Sequence, residues 1–168
     1  MEEPLAIDYK NLLKFFPQAV LPYSITTETY KSLMTQRAPL PEEFVREFLV
    51  KEGEGAIDEF SEFMPVIQFS LSTKFSAVVY WQAGLHGHTY HVAAFSMLGT
   101  RISTLPICGT SYTEEGQIRH SVAVIRPDLS IFIKDGMTSE GDILNPEIGF
   151  LRHYRLTEQG EVLEDKME

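Results

Sequence analysis

Cysteine is almost absent from the sequence, since Cys108 is the only one in 168 residues. A chain with one cysteine forms no intramolecular disulfide, which excludes the disulfide-stapled scaffolds of small secreted proteins. Cys108 follows the apolar residues Leu105, Pro106 and Ile107 and has no cation beside it. Because a reactive thiol needs surroundings that stabilise the thiolate, this position predicts a small buried side chain rather than a nucleophile.

Basic residues are also scarce. The chain has 14 lysines and arginines against 24 aspartates and glutamates, and its formal net charge is -10. The basic residues are scattered, whereas phosphate backbones and anionic lipid surfaces are attracted by clusters of them. We therefore expect neither nucleic acid nor a membrane among the partners.

Long hydrophobic runs are missing as well. No stretch approaches the roughly 18–20 apolar residues that a membrane-spanning helix needs. The sequence begins with Glu2 and Glu3, at positions where a secretory leader carries basic residues. Together with the single cysteine, these features predict a soluble protein of the cytoplasm.

Catalytic and cofactor motifs are absent too. The segment Gly109–Ser111 follows a predicted strand but does not form the Gly-x-Ser-x-Gly turn of serine hydrolases. The segment Gly53–Gly55 does not extend to a dinucleotide-binding Gly-x-Gly-x-x-Gly and follows a helix rather than a strand. We therefore predict no catalytic residue, no cofactor and no metal, and the sequence favours a protein that is not an enzyme.

The sequence does contain a clear change of hydrophobic period near residue 63. Before it, short apolar segments with helical spacing are separated by prolines, and the clearest of them spans 41–49. After it, the period is two, and Gly, Pro and Asp mark the turns. We predict a single domain over 1–168, with a helical and irregular part at 1–62 and a β-meander at 63–168.

Eight segments of the second part have the composition of strands. They are Met64–Leu71, Phe75–Trp81, His88–Met97, Arg101–Ile107, Gln117–Ile125, Leu129–Lys134, Phe150–Leu156 and Glu161–Leu163. Most of the turns between them are short and join antiparallel neighbours, because a parallel crossover needs about a dozen residues or more. The predicted class is α+β, with short N-terminal helices packed on an antiparallel β-meander of six to eight strands.

Three of the five histidines lie close together, at His86, His88 and His91. Strand residues three positions apart point to opposite faces, so His88 and His91 do not converge on one metal ion. No cysteine or nearby carboxylate completes a tetrahedral site with His86 and His88. These two histidines, with Tyr90, are predicted instead as a candidate site for a small ligand.

His120 stands apart from that cluster. It alternates with Ile118, Val122 and Val124, which form the more apolar side of its predicted strand. A single histidine in such a position is typical of a hydrogen-bonded core residue, and we interpret His120 in this way.

The hairpin of Phe75–Trp81 and His88–Met97 has apolar residues on both faces. An even-length turn between Gly84 and Gly87 places odd positions of the first strand on the same face as even positions of the second. The face with Trp81 is the more apolar. We expect it to form the core beneath the N-terminal helices, with Trp81 buried.

The other face of this hairpin carries Tyr80, His91 and Phe95. Contiguous apolar surface is unusual on a soluble monomer. We therefore predict that these three residues form a contact surface, covered by a protein partner or by a second copy of the chain in a homodimer.

Two hypotheses about function remain open at this point. The first is a non-enzymatic binding or interaction module, for example a bacterial partner-binding or immunity-type protein. The alternative is a small enzyme that uses His86, His88 and the loop at 135–149. A convergent pocket with a perturbed histidine favours the second, and a flat face favours the first.

Overall fold

The structure, a computed structural model, describes residues 5–51, 54, 57–70, 73–112, 115–139 and 151–165. It consists of short helices followed by an antiparallel sheet, and the predicted α+β class is confirmed. Within these described ranges, every helix is too short or too polar to cross a bilayer.

The helices lie in the N-terminal part of the chain. They are α1 (Tyr9–Leu13), α2 (Thr29–Gln36) and α3 (Glu42–Phe44), and α3 continues directly as a π-helical segment over Val45–Leu49. Asp8 caps α1, because its carboxylate accepts a hydrogen bond from the backbone N–H of Asn11 at 2.8 Å. Pro41 is the N-cap of α3, where its missing N–H costs no hydrogen bond.

The described residues contain nine strands. They are β1 (Tyr23–Ile25), β2 (Glu62–Phe69), β3 (Phe75–Gly84), β4 (Gly87–Ser96), β5 (Arg101–Tyr112), β6 (Gln117–Ile125), β7 (Ser130–Ser139), β8 (Leu151–Leu156) and β9 (Val162–Asp165). Strands β2 to β9 pair in sequence order, each antiparallel to the next, so the predicted meander is confirmed.

Strand β1 was not predicted, since it lies in the part of the chain interpreted as helical or irregular. It pairs with β6 and places Ile25, which is buried, opposite Ala123. Three residues after Pro22 are too few to show a period of two. Pairing with β6, rather than local propensity, therefore decides the conformation of this segment.

The predicted sharing of faces in the β3–β4 hairpin is confirmed, since Trp81 pairs with Tyr90 and Gly84 with Gly87. The prediction that the N-terminal helices cover the Trp81 face holds for α2, whose Leu33 packs in that core, and was wrong for α1 and α3. The face with Trp81 packs against residues of β6 and β7, among them Ile131 and Ile133. Trp81 itself is buried, as predicted.

Helices α1 and α3, with the π-helical segment after α3, cover the opposite face, on which Phe95 is buried. Helix α2 lies on the other side, because its Leu33 packs in the same core as Trp81. The molecule thus has three layers, with α1 and α3 outside, β2–β4 in the middle, and β6–β8 on the other side. For α1 and α3 the faces are exchanged relative to the prediction because the meander is long enough to fold back and cover its own more apolar face.

This arrangement corrects the predicted contact surface. Tyr80 is 3% exposed and Phe95 is 0% exposed. The ring of Phe95 lies 5.1 Å from that of Tyr9 and 6.3 Å from that of Phe48, measured between centroids. The chain's own helices therefore cover Tyr80 and Phe95, and only His91, at the margin of this face, stays partly exposed.

Candidate functional site

Strand β5 pairs with β4 along most of its length but with β6 only through its last three residues. Two register shifts in the β4–β5 ladder leave Ile102 and Ile107 without an opposite residue. Bulges of this kind bend a strand and increase its twist. As a result, β5 diverges from β6, and a cleft opens between the two strands.

The base of the cleft is held together by a side chain. The Oγ of Ser121 accepts a hydrogen bond from the backbone N–H of Gly109 at 3.0 Å, next to the point where the β5–β6 ladder ends. A Cβ on Gly109 would lie 2.1 Å from the carbonyl oxygen of His88. Strands β4, β5 and β6 therefore meet closely at this point.

The cleft has a volume of about 560 Å³, which lies within the roughly 300–1,000 Å³ of small-molecule sites. Both apolar and polar side chains from β4 to β8 line it. The lining residues are His88, Thr89, Pro106, Ile107, Cys108, Gly109, Thr110, Ser111, Arg119, His120, Ser121, Asp135, Gly136 and Arg152.

His120 faces this cleft. Its Nδ1 lies 3.1 Å from the Oγ1 of Thr110, the residue opposite it on β5. The predicted hydrogen bonding of His120 is confirmed, but its assignment to the core was wrong. On β6 the buried side is that of Ala123 and Ile125, because these residues pack against the β2–β4 layer.

His88 lies beside His120 and packs against aromatic rings. Its ring centroid is 5.4 Å from that of Trp81, 5.6 Å from that of Tyr30 and 6.1 Å from that of Tyr90. Burial, and secondarily the proximity of His120, lowers the pKa of His88. His88 is therefore neutral at pH 7 and presents an imidazole that donates from one nitrogen and accepts at the other.

Asp135 and Arg152 form a bidentate ion pair at the cleft. The Nε of Arg152 lies 2.7 Å from Oδ2 of Asp135, and its Nη2 lies 2.9 Å from Oδ1. This hydrogen bonding raises the pKa of Arg152. Both side chains are about one-third exposed, so the pair is accessible to solvent while its two charges offset each other.

Cys108 is 4% exposed, and its predicted burial is confirmed. Burial, with a smaller contribution from the carboxylate of Asp135, raises the pKa of the Cys108 thiol to about 12. The side chain is therefore a thiol at neutral pH and contributes an apolar surface to the cleft rather than a nucleophile.

The structure places the three residues of the predicted small-ligand site differently. His88 lines the cleft, whereas His86 is exposed in the turn between β3 and β4. Tyr90 is buried below His88, and its hydroxyl has no hydrogen-bond partner among the described residues. Of the three, only His88 belongs to the cleft.

Sequence reasoning missed most of the residues in the cleft. Arg119, Asp135 and Arg152 come from three different strands, and nothing in their spacing brings them together. A signal was present at Gly109, since a glycine within a strand often marks a bulge or a close approach of two backbones. The predicted strand ended at Ile107, however, and the structure extends it to Tyr112.

His91 lies outside the cleft, near the helix-covered face, and stacks on Tyr80 with centroids 4.9 Å apart. Glu54 and Arg101, which pair with each other, face the same small cavity. Burial lowers the pKa of His91 to about 4. A histidine in the unfolded chain has a pKa of about 6.5, so protonation favours unfolding.

We therefore expect the stability that neutral His91 contributes to be complete above about pH 6.5 and to be lost as the pH falls toward about 4. His91→Gln should reduce the difference between the free energies of unfolding in urea at about pH 7.5 and about pH 5. His86→Gln, at an exposed position, is the matched control and should leave that difference unchanged. Equal pH dependence in both variants would contradict the prediction.

Among the described residues, no three His, Cys, Asp or Glu side chains converge in a way that could hold a metal ion. Comparison of the chain with protein-family models, with curated proteins and with solved structures finds no match. Any inference about function therefore rests on the chemistry of the cleft.

Proposed function

We propose that the chain is a non-enzymatic binding module that holds a small molecule in the cleft between β5 and β6. The observation that supports this is convergence: five polar side chains from four strands line one cavity of about 560 Å³, and they are His88, Arg119, His120, Asp135 and Arg152. A concave site with a few convergent polar groups above apolar residues is the common form of a small-molecule site.

The proposal places the protein in the cytoplasm, a reducing compartment in which Cys108 stays a thiol. Nucleic acid is not among the proposed ligands, because the net charge of -10 repels a phosphate backbone. A protein partner or a homodimer remains a proposal from the sequence, with no surface assigned to it.

A small enzyme is the second candidate, and one contact favours it. The Thr110 hydroxyl lies 3.1 Å from the imidazole of His120, and such a pair is a way to activate a nucleophile. The enzyme hypothesis drawn from the sequence used His86, His88 and the loop at 135–149. Of these, His88 and Asp135 line the cleft, and residues 140–149 lie outside the described residues.

Fragment binding followed by NMR tests the proposed function. Isotope-labelled protein is titrated with aromatic fragments in matched pairs, each a carboxylate and its carboxamide, beginning with benzoate and benzamide. At least one fragment should shift the backbone amide signals of Thr110, His120 and Ser121. Methyl benzoate is titrated as the matched ester, and its hydrolysis to benzoate and methanol by the protein would support the enzyme instead.

A blocking variant makes this test specific to the cleft. Ser111 is an exposed residue at the rim, and Ser111→Trp should weaken fragment binding about tenfold or more, which corresponds to about 1.4 kcal/mol. Thr100→Trp, at an exposed position after β4, should leave binding unchanged. Absence of any cleft shifts, or equal binding by both variants, would contradict the proposed function.

A further inference from the structure

The cleft is a basic site on an acidic protein. The whole chain carries a formal net charge of -10. The described residues that line the cleft include two arginines against a single carboxylate, that of Asp135, while His88 is neutral. Because clefts with low-dielectric walls focus the field of the charges that line them, this local excess of positive charge favours an anionic occupant.

One of the two arginines is already engaged. Asp135 occupies the guanidinium of Arg152 through two hydrogen bonds, so this pair contributes little net charge. Arg119 forms no ion pair with another described residue. The guanidinium of Arg119 is therefore the group that remains for an incoming anion, and its planar donor geometry matches a carboxylate.

The other residues that line the cleft indicate the chemical nature of the rest of the ligand. Most of the accessible lining of the cleft is apolar. Pro106 is exposed there and lies next to the buried Ile107 and Cys108, and the raised pKa of Cys108 keeps that thiol uncharged. A small inorganic anion would leave this surface in contact with water. An aromatic or aliphatic group would cover it, and burial of apolar area contributes about 25 cal/mol per Å².

We propose that the occupant of the cleft is a small monocarboxylate with an apolar body, whose carboxylate is held by Arg119 and whose body lies against the apolar lining around Pro106. This inference rests on the proposed function, and it names the ligand class of the same site. A monoanion is favoured over a phosphate or a polyanion because the described lining contains no lysine and only one arginine without a carboxylate partner.

The matched fragment pairs also test the ligand class. Benzoate, or a larger carboxylate of the panel, should bind about tenfold or more tightly than its carboxamide, because the two differ mainly in charge. Arg119→Gln should remove this preference by weakening the carboxylate to the affinity of its carboxamide. Arg155→Gln, at an exposed position on β8 outside the cleft, changes the net charge equally and should preserve the preference.

The outcomes separate the two proposals. Carboxamides that bind as tightly as carboxylates, with binding still blocked by Ser111→Trp, would overturn the ligand class and leave the proposed function standing. A carboxylate preference that survives Arg119→Gln would overturn the role of Arg119. If inorganic phosphate bound more tightly than benzoate, the proposal that the ligand has an apolar body would be wrong. If no member of the panel binds in the cleft, both proposals are wrong.

Discussion

Replacing Phe95 with alanine should lower the free energy of unfolding by about 3–5 kcal/mol, one of the largest effects of any single substitution in this chain. The Phe95 side chain is 0% exposed and lies between the sheet and the N-terminal helices, where its ring contacts Tyr9 and Phe48. Alanine would leave a cavity at this junction that the surrounding layers fill only in part. Urea unfolding followed by the fluorescence of Trp81, the only tryptophan, measures the loss.

Leu98→Ala is the matched control. Leu98 lies three residues after Phe95 and is 94% exposed. Its replacement should change stability by no more than about 0.5 kcal/mol, since an exposed side chain leaves no cavity. If Phe95→Ala were as mild as Leu98→Ala, the helices would not cover this face, and the contact surface predicted from the sequence would again need an external partner.

The β3–β4 hairpin shows what the sequence can determine. Alternation of side chains and the glycines on either side of the turn correctly predict which residues share a face. They do not predict which element covers that face, because both faces are apolar and two layers were available to cover them. That choice depends on the path of the whole chain, since the strand that bends, β5, lies beyond the hairpin.

The same limit applies to the cleft. Its shape comes from a strand that diverges from its neighbour, and bulges at Ile102 and Ile107 are recognised only when the partner strand is in place. The charged residues of the cleft come from strands that a sequence motif does not connect. The sequence predicts His88 as a site residue because it belongs to a local cluster of histidines, whereas no local pattern surrounds Arg152.

Gly87→Ala should cost about 2–4 kcal/mol, since it combines backbone strain with a steric clash. Gly87 has φ of +141°, a conformation that L residues rarely adopt. A Cβ at this position would lie 2.2 Å from the carbonyl oxygen of Thr110 and 2.9 Å from the Cα of Ser111. Because both contacts are with the backbone of β5, strands β4 and β5 would have to move apart where they border the cleft.

Alanine substitutions at two other glycines serve as controls that distinguish the cost of backbone strain from the cost of the steric clash. Gly84, opposite Gly87 across the same turn, has open space around an added Cβ, and Gly84→Ala should change stability by less than about 1 kcal/mol. Gly116 has φ of +79° but also meets no atom within 4 Å, so Gly116→Ala should cost about 1–2 kcal/mol from strain alone. A loss for Gly87→Ala no larger than that for Gly116→Ala would show that β4 and β5 do not approach closely here. A larger loss, with shifted amide signals at Thr110, would show that close contact between β4 and β5 maintains one wall of the cleft.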